Sequence, residues 1–193
     1  MYRACLDTCV LVPSSQRDFL LQLAAEGAFA PIWGTGILFE LDYVLERLDR
    51  KADAGGEREH LLSEMRRAFP GATIEAPKDG QYSYDVADPN DLHVVHAAIL
   101  GSADALVSRD RRAGFATSKS LADADIEVLS PEDFAAHAVA AHPRLALRAV
   151  DVIATRNRRW PQSPMAVLEQ LRDAHGMVEV YEIIAPLARG DIR

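Results

Sequence analysis

The sequence predicts an α/β fold in which helices cover a parallel sheet, followed by a helical region at the C-terminal end. Short apolar runs typical of buried strands alternate with amphipathic helical segments in the first part of the chain, and after about Ser130 every segment has helical periodicity. Strands that alternate with helices join into parallel sheets, because each connection has to cross over the sheet. The 193 residues, 49% of them apolar, suffice for one core and a smaller appendage.

The first elements are a strand and three helices. YRACLD, residues 2–7, is typical of a short buried strand. SSQRDFLLQLAAEG has a serine start, an apolar stripe and a glycine stop, which predicts a helix over 14–27. A short apolar segment, FAPIW, then precedes helices at 34–51 and 57–69, the second of which ends at Pro-Gly.

The remaining elements complete the sheet and then form the helical region. ATIEA, DALVS and IEVLS are strand candidates, and DPNDLHVVHAAILGS is a helix entered through Asp-Pro. Beyond them lie four helical segments: SPEDFAAHAVAAH, PRLALRAVDVIATRNRRW, SPMAVLEQLRDAHG and MVEVYEIIAPLARG. We therefore expect one domain over residues 1–130 and a C-terminal helical extension over 131–193.

Charge and composition exclude several classes of protein. The net charge of −8 argues against a protein that coats nucleic acid through its overall charge. The charge is uneven, because residues 143–193 hold 8 basic and 6 acidic residues, a net of +2, whereas residues 1–142 hold 13 and 23, a net of −10. No run approaches the ~18 consecutive apolar residues of a membrane span, and Asp7 interrupts the apolar N-terminal run. We expect a cytoplasmic protein without membrane contact, in which Cys5 and Cys9 are free thiols.

Five carboxylates are expected at one edge of the sheet. An ionised carboxylate buried without a partner costs several kcal/mol, so Asp7, inside an apolar strand, needs a compensating group. It stands at the carboxyl end of the first strand, the edge where open parallel sheets bind ligands. Asp110 follows another strand, Asp88 and Asp91 open the helix before that strand, and Glu40 lies early in its own helix. Together these residues predict an acidic pocket.

Each carboxylate also has a simpler interpretation. Asp88, which precedes a proline, and Asp91 would cap the helix that they open. Glu40 is also consistent with a solvated helix face, and Asp110 with a turn or an ion pair to a neighbouring arginine. The simpler interpretation of Asp7 is an Asx turn that ends the strand.

The succession CLDTCVLV, PIWGTGILFEL, DPNDLHVVHAAIL and ADALVSRD resembles the PIN-domain ribonucleases, especially the VapC-type toxins of bacterial toxin–antitoxin pairs. The resemblance covers about residues 1–130 and implies a three-layer α/β/α nuclease whose acidic pocket binds Mg²⁺ or Mn²⁺ and cuts RNA. Matched position by position, it implies catalytic and metal-binding roles for four residues, Asp7, Glu40, Asp91 and Asp110. Asp88 is a further candidate ligand, and we favour Asp91 because Asp88 looks like the cap.

The resemblance also implies partners. The helical extension resembles one found on a subgroup of these toxins, and we expect an RNA substrate, a small antitoxin protein and a homodimer. Two arginine clusters are candidates for holding RNA, with surface ion pairs as the simpler interpretation: Arg109, Arg111, Arg112, Arg156, Arg158 and Arg159. Trp160, beside the second cluster, could stack on a base.

Other functions are weighed against the nuclease. Haloacid-dehalogenase-type phosphatases also begin with an aspartate at a strand end, but they need a second one where this chain has Cys9. His93 and His96 share a helix face that could bind a transition metal, although they are more simply helix-face residues. Tyr82 and Tyr84 alternate as in an edge strand and could stack on bases, although packing within the protein is the simpler interpretation. The remaining alternative is a non-catalytic RNA- or regulator-binding protein that retains the PIN fold.

Overall fold

The described residues, 1–52, 57–156 and 162–190 of this computed structural model, divide into two compact units. The first, which we name the sheet unit, contains Met1–Val12 and Ala30–Leu129. The second, the helical unit, contains Pro13–Phe29 and the chain from Ser130 onward. The expected ranges 1–130 and 131–193 differ from this partition at one segment, because Pro13–Phe29 groups with the C-terminal helices.

The sheet unit is built on five parallel strands in the order β3-β2-β1-β4-β5. Their bounds are β1 Arg3–Leu6, β2 Ala30–Gly34, β3 Thr73–Ile74, β4 Ala105–Val107 and β5 Glu127–Leu129. The central strand has neighbours on both sides, with Cys5 opposite Ile32 in β2 and Leu106 in β4. All three of these residues are buried, as expected for a parallel sheet, and the polar Arg3 and Glu127 stand at the first positions of β1 and β5. The predicted parallel α/β sheet is confirmed.

The described residues contain ten α-helices. Their bounds are α1 Thr8–Leu11, α2 Ser14–Ala25, α3 Thr35–Ala52, α4 Glu57–Ala68, α5 Leu92–Leu100, α6 Lys119–Asp123, α7 Pro131–Ala141, α8 Pro143–Arg156, α9 Pro164–His175 and α10 Val178–Arg189. Each predicted helical segment has a helix within the described residues, and the end of the segment predicted over 143–160 lies outside them. The short helices α1 and α6 were not expected. None of the described helices is both long and apolar enough to cross a membrane.

Within the sheet unit, α3 and α5 pack on β2, and α5 also contacts β1. A 3-10 turn, Pro89–Asp91, leads into α5. The close approach of α3 to α5 depends on Gly36, because a Cβ atom there would lie 2.5 Å from Cδ2 of His93. The sequence therefore brings the early turns of α3 and α5 together at the carboxyl edge of the sheet.

The helical unit has its own core and, among its described residues, no strand. The rings of Phe29 and Phe134 meet edge to face with centroids 4.8 Å apart, a favourable aromatic geometry. α2 packs against α8 and α9, and α10 packs against α7, α8 and α9. Ser130 and Ser163 cap the N-termini of α7 and α9 through their hydroxyls. The C-terminal helices that the sequence predicts are confirmed.

Two local predictions need correction. FAPIW, expected only as a short apolar segment, contributes to β2, which pairs with both β1 and β3. QYSYD, expected as an edge strand, forms no strand. Its two tyrosines instead gather around His96, which stacks on Tyr82 at 4.4 Å between centroids and lies 2.8 Å from the hydroxyl of Tyr84.

Candidate active site

Asp7 lies directly after β1 and is buried, with 6% of its surface exposed. It is the N-cap of α1, and its Oδ1 accepts a hydrogen bond from the backbone N of Thr8 at 2.6 Å. Oδ2 accepts from Ser108 Oγ at 2.6 Å and from Cys9 Sγ at 3.1 Å. Burial raises the pKa of Asp7 and the nearby Glu40 adds to the rise, although these three hydrogen bonds oppose it. Because the Oδ1 contact is with the next residue, Thr8, Asp7 caps α1 and does not form the Asx turn of the simpler interpretation. Its Oδ2 is directed toward Ser108 and Cys9.

Glu40 points inward from α3, toward the acidic pocket, and does not lie on a solvated helix face. Its Oε2 accepts from Thr8 Oγ1 at 2.8 Å, and its Oε1 is bonded to the ammonium of Lys78. The side chain is 18% exposed. Burial acts to raise the pKa of Glu40, but the contacts with His93, Lys78 and Thr8 outweigh it and lower the pKa to about 2. Glu40 is therefore a carboxylate that carries its charge at neutral pH.

His93 is buried beside Glu40, whereas His96 faces a different partner. The Nδ1 of His93 lies 2.9 Å from the carbonyl oxygen of Asn90, so this nitrogen carries a proton and donates. Among the described residues its Nε2 has no hydrogen-bond partner and lies 3.7 Å from Glu40 Oε2. Because His96 contacts Tyr84 instead, the two histidines do not share a partner, which disfavours the transition-metal alternative.

Asp88 and Asp91 have different surroundings. Asp88 caps the 3-10 turn, and its Oδ1 accepts from the backbone N and the side-chain Nδ2 of Asn90 at 2.9 and 2.8 Å. Asp91 makes no capping bond and is half-buried. Burial raises the pKa of Asp91 to about 6, helped by four neighbouring carboxylates: Asp7, Asp88, Asp110 and Glu40. Asp88 is therefore the expected cap. Asp91 is the carboxylate whose pKa is raised by burial and by the other four carboxylates.

Asp110 shapes the turn after β4. Its Oδ1 accepts from the backbone N of Arg112 at 2.7 Å and of Ala113 at 3.2 Å, so the turn-forming interpretation is confirmed for this oxygen. Its own backbone N donates to Ser108 Oγ at 3.0 Å. Since Ser108 also donates to Asp7, this one hydroxyl joins the ends of β1 and β4.

The donor atoms fit a hard divalent cation. The other four predicted carboxylates all raise the pKa of Asp91. Carboxylate oxygens are the ligands that Mg²⁺ and Mn²⁺ prefer. Within the described ranges no three His, Cys, Asp or Glu side chains form a ready-made metal cluster. Mg²⁺ does not need one, because it usually keeps several waters and binds one or two carboxylates together with a substrate phosphate.

Three contributing residues were missed by sequence reasoning. Thr8 and Lys78 both bond Glu40, and Cys9 contributes its thiol to Asp7. Thr8 and Cys9 could have been found, since they follow Asp7 directly. No sequence pattern indicated a role for Lys78, because it is 38 residues from Glu40 and lies in a segment without periodicity.

The two arginine clusters that are candidates for holding RNA differ in exposure and in their partners. Arg109, Arg111 and Arg112 are exposed and flank Asp110. Arg156 bonds Gln22 at 2.7 Å and lies 3.4 Å from Asp18, as the ion-pair interpretation predicts. Three residues of the second cluster lie outside the described residues: Arg158, Arg159 and Trp160.

A five-stranded parallel sheet with acidic residues at its carboxyl edge defines an α/β protein with a candidate acidic site. A family model described as PIN domain matches residues 3–112, more than half of the chain. The chain belongs to the PIN-domain family, whose members are generally nucleases. No curated protein and no solved structure gives a significant match.

Proposed function

We propose that this protein is a divalent-metal-dependent endoribonuclease that hydrolyses phosphodiester bonds in RNA. The main support is the convergence of Asp7, Asp88, Asp110 and Glu40 on Asp91, whose pKa rises to about 6. Carboxylates gathered in this way repel one another, and a bound cation relieves that repulsion. The family's general nuclease activity supplies the reaction class.

The residues proposed to hold the ion are Asp7, Glu40, Asp91 and Asp110, with Asp88 as an additional ligand. When bound, Mg²⁺ or Mn²⁺ lowers the pKa of a coordinated water and neutralises charge that develops on the scissile phosphate. The chain itself holds the carboxylates in place. Ser108 donates a hydrogen bond to Oδ2 of Asp7. Thr8 donates one from its backbone N to Asp7 and one from its hydroxyl to Glu40.

We further propose that the protein is the toxin of a bacterial toxin–antitoxin pair, acts in the cytoplasm as a homodimer, and binds a small antitoxin protein. The sequence resemblance and the C-terminal helices support this role. Its most informative test is genetic, because a short reading frame for a small DNA-binding protein should adjoin the one for this chain. A neighbourhood without such a frame would count against the toxin role and leave the nuclease proposal untouched.

A second candidate is a non-catalytic RNA- or regulator-binding protein that retains the fold. Lys78 favours it, because its ammonium already compensates Glu40. The lack of a ready-made metal cluster among the described residues also favours it. The two candidates differ in whether divalent metal produces RNA cleavage.

The decisive experiment replaces Asp7 with Asn. Asn keeps the size of the side chain and an acceptor for the Thr8 backbone N, but removes the charge. We expect Asp7→Asn to abolish cleavage of total RNA in Mg²⁺ or Mn²⁺ while the fold and the metal-free stability are retained. The metal should also raise the melting temperature of the parent more than that of the variant, since a ligand that binds only the native state stabilises it.

Asp104→Asn is the matched control. Asp104 precedes β4, at the opposite edge of the same sheet, where it accepts from the backbone N of Arg3 at 2.7 Å. This variant should cleave RNA at the parent's rate. If Asp7→Asn cleaves as fast as the parent and gains as much stability from metal, Asp7 only caps α1 and the nuclease proposal fails.

A further inference from the structure

Phe39 is an exposed aromatic residue beside the acidic site. It immediately precedes Glu40 on α3, and 65% of its surface is exposed, although most large apolar residues of the sheet unit are buried. It borders two cavities of the sheet unit, of about 510 and 490 Å³. An exposed phenyl ring that borders a cavity offers a flat apolar face to a ligand.

The cavity of about 510 Å³, which we name the Phe39 pocket, combines flat apolar surfaces with charged groups. Phe39 and Pro77 supply the apolar surfaces. Glu75 and Asp79 are exposed carboxylates that can only accept hydrogen bonds, and Lys78 is a donor. The ligand that this lining fits is therefore a flat ring with several N–H donors and at least one acceptor on its edge.

Lys78 joins the Phe39 pocket to the acidic site. Its side chain lines the pocket, and its ammonium is bonded to Oε1 of Glu40. The pocket therefore lies next to Glu40, one of the proposed catalytic carboxylates. An RNA phosphate held by a divalent ion at this acidic site would bring the base of an adjoining nucleotide to the pocket, provided that the base is unpaired and unstacked.

We propose that the Phe39 pocket binds one unpaired base of the RNA next to the scissile phosphate, and that it binds guanine best. This inference rests on the proposed ribonuclease function. Unpaired bases in RNA are commonly recognised by stacking on an aromatic side chain and by hydrogen bonds to their edges. Guanine presents N1–H and N2–H₂ side by side to one carboxylate and O6 to an ammonium, which matches the lining of the pocket. Adenine and uracil offer fewer donors on that edge.

The test measures RNA binding without turnover. Fluorescently labelled eight-nucleotide uridine oligomers that carry one central guanosine, inosine or adenosine are titrated with the full chain in Ca²⁺, and binding is read by anisotropy. We expect guanosine to bind about five- to hundredfold more tightly than adenosine, as for a good bidentate base contact. Inosine, which lacks only the 2-amino group, should lie between them.

Phe39→Ala should weaken binding of the guanosine oligomer by about five- to hundredfold, the usual effect of removing an aromatic residue on which a base stacks. Tyr43→Ala is the matched control, because Tyr43 is 54% exposed one turn further along α3 and does not line the pocket. It should bind like the parent. Glu75→Gln should reduce the preference for guanosine over adenosine.

Two results would overturn the base site. Equal binding of all three oligomers would remove the guanine preference, and unchanged binding by Phe39→Ala would assign the pocket to a protein partner instead. A failure of the ribonuclease proposal is seen separately, as a parent protein that does not cleave RNA in Mg²⁺ or Mn²⁺. The base site fails alone if cleavage is present but Phe39→Ala leaves the binding and the choice of cleavage positions unchanged.

Discussion

At the scale of single residues, Asp91 is the carboxylate whose pKa is raised by its burial and by the other carboxylates of the acidic site. Its pKa of about 6 in the folded protein is above the usual value of 3.8. A carboxyl with a raised pKa favours the native state at low pH, below about 3.8, and this contribution is lost as the pH rises through about 6. The native protein without metal is therefore destabilised by ionised Asp91 at neutral pH.

We predict that Asp91→Asn is more stable than the parent at pH 7.5 in EDTA and that the difference shrinks as the pH falls toward 4. Urea unfolding at several pH values measures this, since the variant lacks the ionisation that costs the parent stability. Asp151→Asn, at an exposed position on α8, is the control and should follow the parent. A difference that stays constant with pH would mean that neither burial nor the neighbouring carboxylates raise the pKa of Asp91 in the folded protein.

The sequence could place the carboxylates but not what surrounds them. Asp7 and Asp110 follow parallel strands, so their common edge could be predicted from strand order alone. Thr8 and Lys78 bond Glu40 across 32 and 38 residues, and such contacts depend on side-chain directions that have no local pattern. For Glu40 the sequence allowed two orientations, and packing against α5 decides between them.

At the scale of elements, the segment 75–88 between β3 and α5 is held without regular structure. Asp85 accepts hydrogen bonds from the backbone N atoms of Lys119 and Ser120 at 2.6 and 2.9 Å. These bonds, together with hydroxyl contacts from Ser120 and Ser118, hold the pKa of Asp85 well below its usual range. Asp85 therefore fastens the segment to the N-terminal end of α6.

We predict that Asp85→Asn accelerates hydrogen exchange at the amides of Lys119 and Ser120. The neutral amide accepts more weakly than the carboxylate, and charge-assisted hydrogen bonds are the stronger kind. Exchange measured by NMR or mass spectrometry tests this. Asp123→Asn, at the other end of α6, should leave these amides as protected as in the parent. Unchanged exchange in Asp85→Asn would show that other contacts hold the segment.

Element prediction succeeded where a segment's own pattern determines its structure. β1 and β4 contain the apolar runs ACL and ALV, and α7 begins at a clear capping residue, Ser130. It failed at QYSYD, because the alternation of tyrosines reflects rings gathered on His96 rather than a pleated strand. The grouping of α2 with the C-terminal helices depends on how their apolar faces fit together, and the sequence of a single segment does not show this.

At the scale of the whole molecule, a protein with a net charge of −8 must bind a polyanion if it is a ribonuclease. Repulsion between the two makes local positive groups necessary, and phosphate contacts make the affinity depend on salt. Arg109, Arg111 and Arg112 follow β4 and are exposed next to Asp110. They are the described arginines that adjoin a proposed catalytic carboxylate in sequence.

We predict that replacing Arg109, Arg111 and Arg112 together by Gln flattens the salt dependence of RNA affinity. The slope of log affinity against log salt should fall by about 0.7 for each phosphate that the variant no longer neutralises, the value for single strands. Fluorescence anisotropy over a range of KCl concentrations gives the slope. Arg67→Gln, whose arginine is paired with Glu64 on α4, is the control. A slope equal to the parent's would make these arginines surface ion-pair residues.

If Glu40 binds the proposed divalent ion, the Lys78–Glu40 ion pair couples metal binding to the position of a segment of chain. A divalent ion that binds Glu40 has to compete with the Lys78 ammonium, and Lys78 belongs to the segment that Asp85 fastens to α6. By thermodynamic linkage, any ligand that draws Lys78 away from Glu40 raises the affinity for the ion, and the ion in turn raises the affinity for that ligand by the same factor. An RNA phosphate that attracts the ammonium is such a ligand. Substrate and metal would then bind with positive cooperativity, so that in limiting Mg²⁺ the protein takes up its metal mainly when RNA is present.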